Sequence, residues 1–198
     1  QAVVEQPAVL KVMRGWLDRN YYTTEEQAVA TAEIGMPEST LQNMSVAVEV
    51  DGKTLATAAA AAETAVTFDL GELAVGSYPV RIKLQSNDGT SFASVKQELI
   101  KRTPKPGCEV KIDQINRVVL KDDRPFFPIG IIMAGVQPDN EAAFKDIADA
   151  GCNTFSQWRI DLPAAIEYLD RARQYGLQVT SLLETGWLPP KDSGLVLP

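Results

Sequence analysis

The chain has 198 residues, with 19 Lys and Arg against 26 Asp and Glu, a net charge of −7, 45% hydrophobic residues and 23% charged residues. This length and apolar content suffice for packed cores, while an acidic balance without a Lys/Arg cluster excludes nucleic acid and anionic membrane surfaces, which repel such a chain. No His is present, so Ser-His and Cys-His catalysis and the usual zinc chemistry are excluded; acid–base work must rest on carboxylates, Lys, Tyr or Cys.

No apolar run approaches the length of a membrane span. The start at Gln1, without Met or a basic-then-apolar leader, reads as processing and points to a secreted or periplasmic location. From about residue 8 to residue 102, short alternating runs bounded by turns predict a β-sandwich of about seven strands. The candidate strands cover 9–17, 27–34, 44–50, 53–57, 65–70, 78–84 and 92–99. Asp51-Gly52 and Asn87-Asp88-Gly89 supply hairpin turns. The alanine run 58–62 is too short for a helix on its own and reads as loop or irregular edge. Trp16, Tyr21, Tyr22 and Tyr78 read as core or rim packing, with a sugar-stacking surface as the alternative. Asn43-Met44-Ser45 matches a glycosylation sequon.

Residues 101–107, KRTPKPG, form a short, stiff linker, which places a domain boundary between segments 1–105 and 106–198. Two short strands follow, 109–113 and 117–121, with a turn at Asp122-Asp123. The continuous apolar run 125–133, PFFPIGIIM, predicts one strand buried on both faces. Residues 140–150 form a helix that presents Ala143, Phe144, Ile147 and Ala148 on its inner face and stops at Gly151. Strand 153–157 comes next. A second helix begins near Pro163 after an Asp161 cap, with Ile166, Leu169, Ala172 and Arg173 on its buried side and Gly176 at its end; strand 177–183 closes the pattern.

Strand and helix in alternation predict consecutive βα units of a (β/α)8 barrel or a doubly wound sheet. Ala134-Gly135-Val136-Gln137-Pro138 is no glycine-rich phosphate cradle, which argues against a nucleotide and leaves no cofactor implied. Asp139, Glu141, Asp146 and Asp149 lie on or before a helix and read as its solvated face, so no metal is expected. Cys108 and Cys152 read as free, buried and inert, with a disulfide between them as the other reading.

The segment from Val118 to Ile131, with its Asp-Asp-Arg turn and Pro-Phe-Phe-Pro-Ile-Gly-Ile, then a helix and Ala-Gly-Cys-Asn-Thr-Phe, resembles the start of the catalytic barrel in glycoside hydrolases of the β-galactosidase and β-glucuronidase type. The resemblance covers about residues 109–184 in order and spacing. It implies a multidomain chain, an immunoglobulin-like β-sandwich followed by an incomplete (β/α)8 TIM-barrel segment of a hairpin and three βα units. It also implies carbohydrate as the partner and a glycosidase as the parent protein. In that family the catalytic carboxylates follow the fourth and seventh strands, beyond these three, so no catalytic residue is assigned here.

Barrel sites form at the C-terminal ends of the strands. Met133 and Gln137 follow the first strand, Gln157, Trp158 and Arg159 the second, and Glu184 and Trp187 the third. Trp158 and Trp187 would stack on a sugar ring, Gln157 or Arg159 would bind hydroxyls and Glu184 would accept from an outer subsite. The alternative is packing and loop roles, with Arg159 paired to Asp161 or Glu184. A non-enzymatic carbohydrate-binding or cell-surface interaction protein is the competing function. An open barrel edge would also favour homo-oligomers.

Overall fold

Alternation of buried and exposed residues builds the first part of the chain. The computed structural model describes residues 12–107, 109–133, 137, 139–158 and 162–182, and divides the chain into two compact units, Gln1–Phe126 and Phe127–Pro198. The first unit runs β1 (Met13–Leu17), β2 (Gln27–Ile34), α1 (Glu38–Leu41), β3 (Met44–Val50), β4 (Lys53–Ala59), β5 (Glu63–Asp69), β6 (Gly76–Ser86), β7 (Ser91–Lys101), β8 (Val110–Asp113), β9 (Val118–Lys121) and β10 (Arg124–Phe126).

Two antiparallel sheets, ordered β1-β2-β5 and β4-β3-β6-β7, share one core. Val46, Val48 and Val50 of β3 meet Val80, Ile82 and Leu84 of β6 in register, and Ala30, Val66 and Phe68 come from the other sheet. Each such aliphatic side chain contributes about 1.5–3 kcal/mol by leaving water. Small residues let the sheets approach: a Cβ on Gly15 would stand 3.1 Å from Ile82 Cδ1 and 3.3 Å from the Thr31 carbonyl oxygen. The β3–β4 turn has φ 50° at Asp51 and 79° at Gly52, the positive pair that a tight hairpin requires.

Expectation and structure differ at the alanine run, at 125–133 and at Cys152. Ala58 and Ala59 are not loop; they pair with Val46 and Ser45 and lengthen β4. Cross-strand pairing there overrides alanine's poor strand propensity. The run 125–133 is not one strand. It divides between β10, which pairs antiparallel with β9, and a separate strand from Gly130 in the second unit. Nor is it buried on both faces, since Ile132 is 67% exposed. Cys152 is a free thiol but only half-buried; Cys108 lies outside the described residues.

The second unit contains β11 (Gly130–Met133), α2 (Glu141–Asp149), β12 (Thr154–Trp158), α3 (Leu162–Gln174) and β13 (Gln178–Leu182). Its strands are parallel and lie in chain order, β11-β12-β13. Asn140 caps α2 by accepting the Ala143 amide, and Gly151 (φ 83°) and Gly176 (φ 70°) make the left-handed turns that end the helices. Phe144, Ile147, Phe155, Tyr168, Ala172 and Leu177 form its core. The buried stripe of α3 is therefore Tyr168 and Ala172, and the expectation for Ile166 and Leu169 is corrected: both are more than half exposed. They lie about 200° and 100° around the helix from Tyr168, away from the Phe144–Phe155 cluster. The Asp161 cap lies outside the described residues. No barrel closes among the described residues, and none of their helices is long and apolar enough to cross a membrane.

Candidate functional site

The three parallel strands end together. Met133 is in register with Gln157 and Gln157 with Ser181, while Trp158 is in register with Leu182. Gln157 and Trp158 are thus the last two positions of the central strand. Their side chains, and Arg159, Glu184 and Trp187 altogether, lie outside the described residues.

What holds the strand ends in register is visible at the opposite end of β12. The Asn153 side chain accepts the Ile129 amide at 2.7 Å and donates Nδ2 to the Phe127 carbonyl at 2.9 Å. Its backbone N–H donates to the Ile129 carbonyl and its carbonyl accepts the Gln178 amide, both at 2.8 Å. One residue therefore aligns β11 and β13 on β12. Asn153→Leu removes both side-chain bonds and is expected to lower stability by about 1–3 kcal/mol, read as the denaturant midpoint of a second-unit probe. An unchanged midpoint would deny Asn153 this role. On the helix side, Tyr175 donates to Glu141 Oε1 at 2.5 Å, tying the end of α3 to the start of α2.

A second polar constellation lies within the first unit and was not anticipated from sequence. Lys111 on β8 is 1% exposed. Its ammonium donates to Glu25 Oε1 at 2.8 Å, to Thr23 Oγ1 at 2.8 Å and to Asp123 Oδ1 at 3.2 Å, and it pairs with Glu109 Oε2 at 3.1 Å. Arg19 adds ion pairs to Glu25 at 3.1 Å and Asp123 at 2.9 Å. Burial disfavours the charged form of each group, yet the partners win. Hydrogen bonds from Lys111 and the Thr23 amide hold the Glu25 carboxyl below its ordinary range. Those from the Lys105 amide, Lys111 and Thr23 do the same for Glu109. The carboxylates hold the Lys111 ammonium above its own ordinary range. These ion pairs and hydrogen bonds make the cluster a joint between the β1–β2 connection and β8 with its flanks.

The aromatic candidates of the sandwich separate. Tyr22 is fully buried and donates to Asp18 Oδ1 at 2.7 Å, so it is core and not a sugar platform. Burial and the Asp18 carboxylate raise its pKa. Tyr21 has one ring face covered by the Arg102 guanidinium at 4.7 Å. Trp16 is half-buried. Tyr78 lines an open cavity of about 900 Å³ together with Leu55, Leu73, Lys53, Glu26 and Glu72. Among the described residues, no group of three or more Asp, Glu, Cys and His is arranged to hold a metal ion.

No protein-family model matches the chain, and no curated protein matches it. Solved structures are similar to it. The fibronectin(III)-like modules of Clostridium thermocellum CbhA share 11% identity over 46% of this chain and 100% of that one, at TM-score 0.33. Parabacteroides merdae β-glucuronidase shares 10% over 85% of this chain and 23% of that one, at 0.29. Amycolatopsis orientalis exo-chitosanase CsxA shares 18% over 85% of this chain and 22% of that one, at 0.29. This chain thus spans less than a quarter of the length of either enzyme. The likeness is distant, at 18% identity or less and a TM-score of 0.33 or less in each of these three.

Proposed function

We propose that this chain is the front part of a glycoside-hydrolase-type protein that handles an oligosaccharide or polysaccharide outside the cytoplasm. An immunoglobulin-like module over 1–105 precedes the first βα units of a TIM barrel over 106–198, and further units supply the catalytic carboxylates. One observation carries this reading: three parallel strands in chain order, linked by helices, that follow a small antiparallel meander in the sequence. In such sheets ligands meet the C-terminal strand ends. Trp158 and Trp187 are assigned to sugar stacking, Gln157 and Arg159 to hydroxyl binding, and Glu184 to an outer-subsite acceptor.

Calorimetric titration of an oligosaccharide panel tests the assignment. Trp158→Ala and Trp187→Ala are each expected to weaken binding about tenfold, the scale of one lost ring contact. Absence of sugar affinity, or affinity indifferent to both substitutions, would overturn it. The cavity beside Tyr78 favours a second reading, a carbohydrate-binding module acting through the sandwich. Tyr78→Ala then weakens binding where the tryptophan variants do not.

A further inference from the structure

We propose that the Lys111 cluster is an acid-released clamp: closed at neutral pH, it welds the β8–β10 sheet to the β1–β2 segment, and on acidification it opens while the sandwich core stays folded.

Geometry places the cluster at a seam. Glu25, Thr23 and Arg19 come from the β1–β2 connection, whereas Lys111, Glu109 and Asp123 belong to the β8–β10 sheet and its flanks. Other bonds across this seam among the described residues are the Ile112 amide to Asn20 Oδ1 at 2.7 Å, the Gln114 amide to the Asp18 carbonyl at 2.7 Å, the Tyr21 hydroxyl to the Val110 carbonyl at 3.0 Å and the Asn20 amide to the Ile112 carbonyl at 3.3 Å. The outer face of β8 adds little apolar glue, because Val110 and Ile112 are about half exposed while the lysine between them points inward.

Charge decides the pH response. Facing Lys111 are Glu25, Glu109, Asp123 and Arg19, the ring of Tyr21 and, over that ring, Arg102. Asp18 lies 3.7 Å from Arg19, Asp113 also interacts with Arg19, and Asp122 accepts the Gly107 and Glu109 amides. Because the carboxyls of Glu25 and Glu109 are lowered, their contribution is complete above the ordinary glutamate value of about 4.3 and is lost as pH falls through the lowered values. The raised Lys111 contributes fully below its ordinary value and fails only in strong base. Acid therefore removes the Glu25 and Glu109 counter-charges from the neighbouring cations Lys111 and Arg19, a state relieved by hydration. Among the described residues of the first unit, Glu109 and Lys111 are the only buried charged residues.

Amide hydrogen exchange across pH, expressed as protection relative to the unfolded chain at each pH, tests the clamp. Protection at Ile112 and Gln114 is expected to fall at least about tenfold on acidification from roughly pH 6 to roughly pH 2, while Val48 and Ile82 in the sandwich keep theirs. Retention at the acid end, or loss in step with Val48, would overturn the proposal. Lys111→Met supplies a reversed sign: with the cation gone, the carboxylates repel at pH 7 and lose their charge in acid. Ile112 is then less protected than in the unsubstituted protein at pH 7 and better protected at pH 4 than at pH 7. Equal protection of variant and parent at pH 7 counts against the clamp, and if the variant does not fold, the profile of the unsubstituted protein decides alone.

Discussion

Phe144→Ala unfolds the second unit and leaves the first folded. The core there is small: Phe144, Phe155 and Tyr168 carry most of its volume, supported by Ile147, Ala172 and Leu177. The Phe144 ring lies 5.3 Å from Phe155, edge to face, and 6.4 Å from Tyr168, so one side chain joins α2 to both the central strand and α3. Truncation removes the transfer free energy of a buried aromatic and leaves a cavity that three parallel strands and two helices cannot close, a loss of about 3–5 kcal/mol. That is a large share of what a unit of this size can hold. The separate sandwich core contains none of these residues. Methyl spectra should show Leu177 and Ile147 collapsing to unfolded positions while Val48 and Ile82 keep their dispersion. A second-unit stability loss below about 1 kcal/mol would mean that Phe144 is not the keystone of this core.

Much of the first unit was legible because its strands alternate. Gln27–Ile34 and Met44–Val50 have the bounds that periodicity gives them, and Asp51-Gly52 turns the chain where its residue types require. Sequence reading failed where pairing overrules local preference. Ala58 and Ala59 have little intrinsic reason to be extended; they are strand because Val46 and Ser45 stand opposite. The apolar run 125–133 hid a change of partner, since hydrophobicity marks burial or its potential but not which sheet a residue joins. Pro128, between the two halves, was the available signal. In α3 the apolar Ile166 and Leu169 outbid Tyr168 by composition, yet the aromatic cluster fixes which stripe faces inward.

The Lys111 joint was less legible still. Its members come from positions 19 to 123 and share no motif. β8, read alone, would turn Val110 and Ile112 inward; only three nearby carboxylates make burying the lysine instead affordable. The one local hint is a lysine flanked by apolar residues and, one position further out, by Glu109 and Asp113. The sugar-binding assignment, in contrast, came from resemblance and from position at strand ends. The register places Gln157 and Trp158 at such an end.

That register makes Gly130→Ala the second severe substitution. Gly130 stands opposite Thr154 where β11 begins to pair with β12. A Cβ at Gly130 would fall inside the contact radius of both the Thr154 carbonyl oxygen and Oγ1. Neither can withdraw cheaply: the carbonyl is backbone in the central strand, and the Thr154 side chain is buried. Overpacking a flexible side chain usually costs about 1–3 kcal/mol; backbone on one side places this substitution at or above the top of that range. The strand must separate or shift, and a shift by one residue would move Ile131 and Ile132 to opposite faces. Loss of amide protection in β11 is the expected signature, with weakened sugar binding wherever the strand ends form the site. A second substitution identifies the cause. Thr154→Ala removes Oγ1 but not the carbonyl, so it cannot restore Gly130→Ala. Full rescue by the double variant would show that side-chain crowding, and not the close approach of two backbones, requires glycine here.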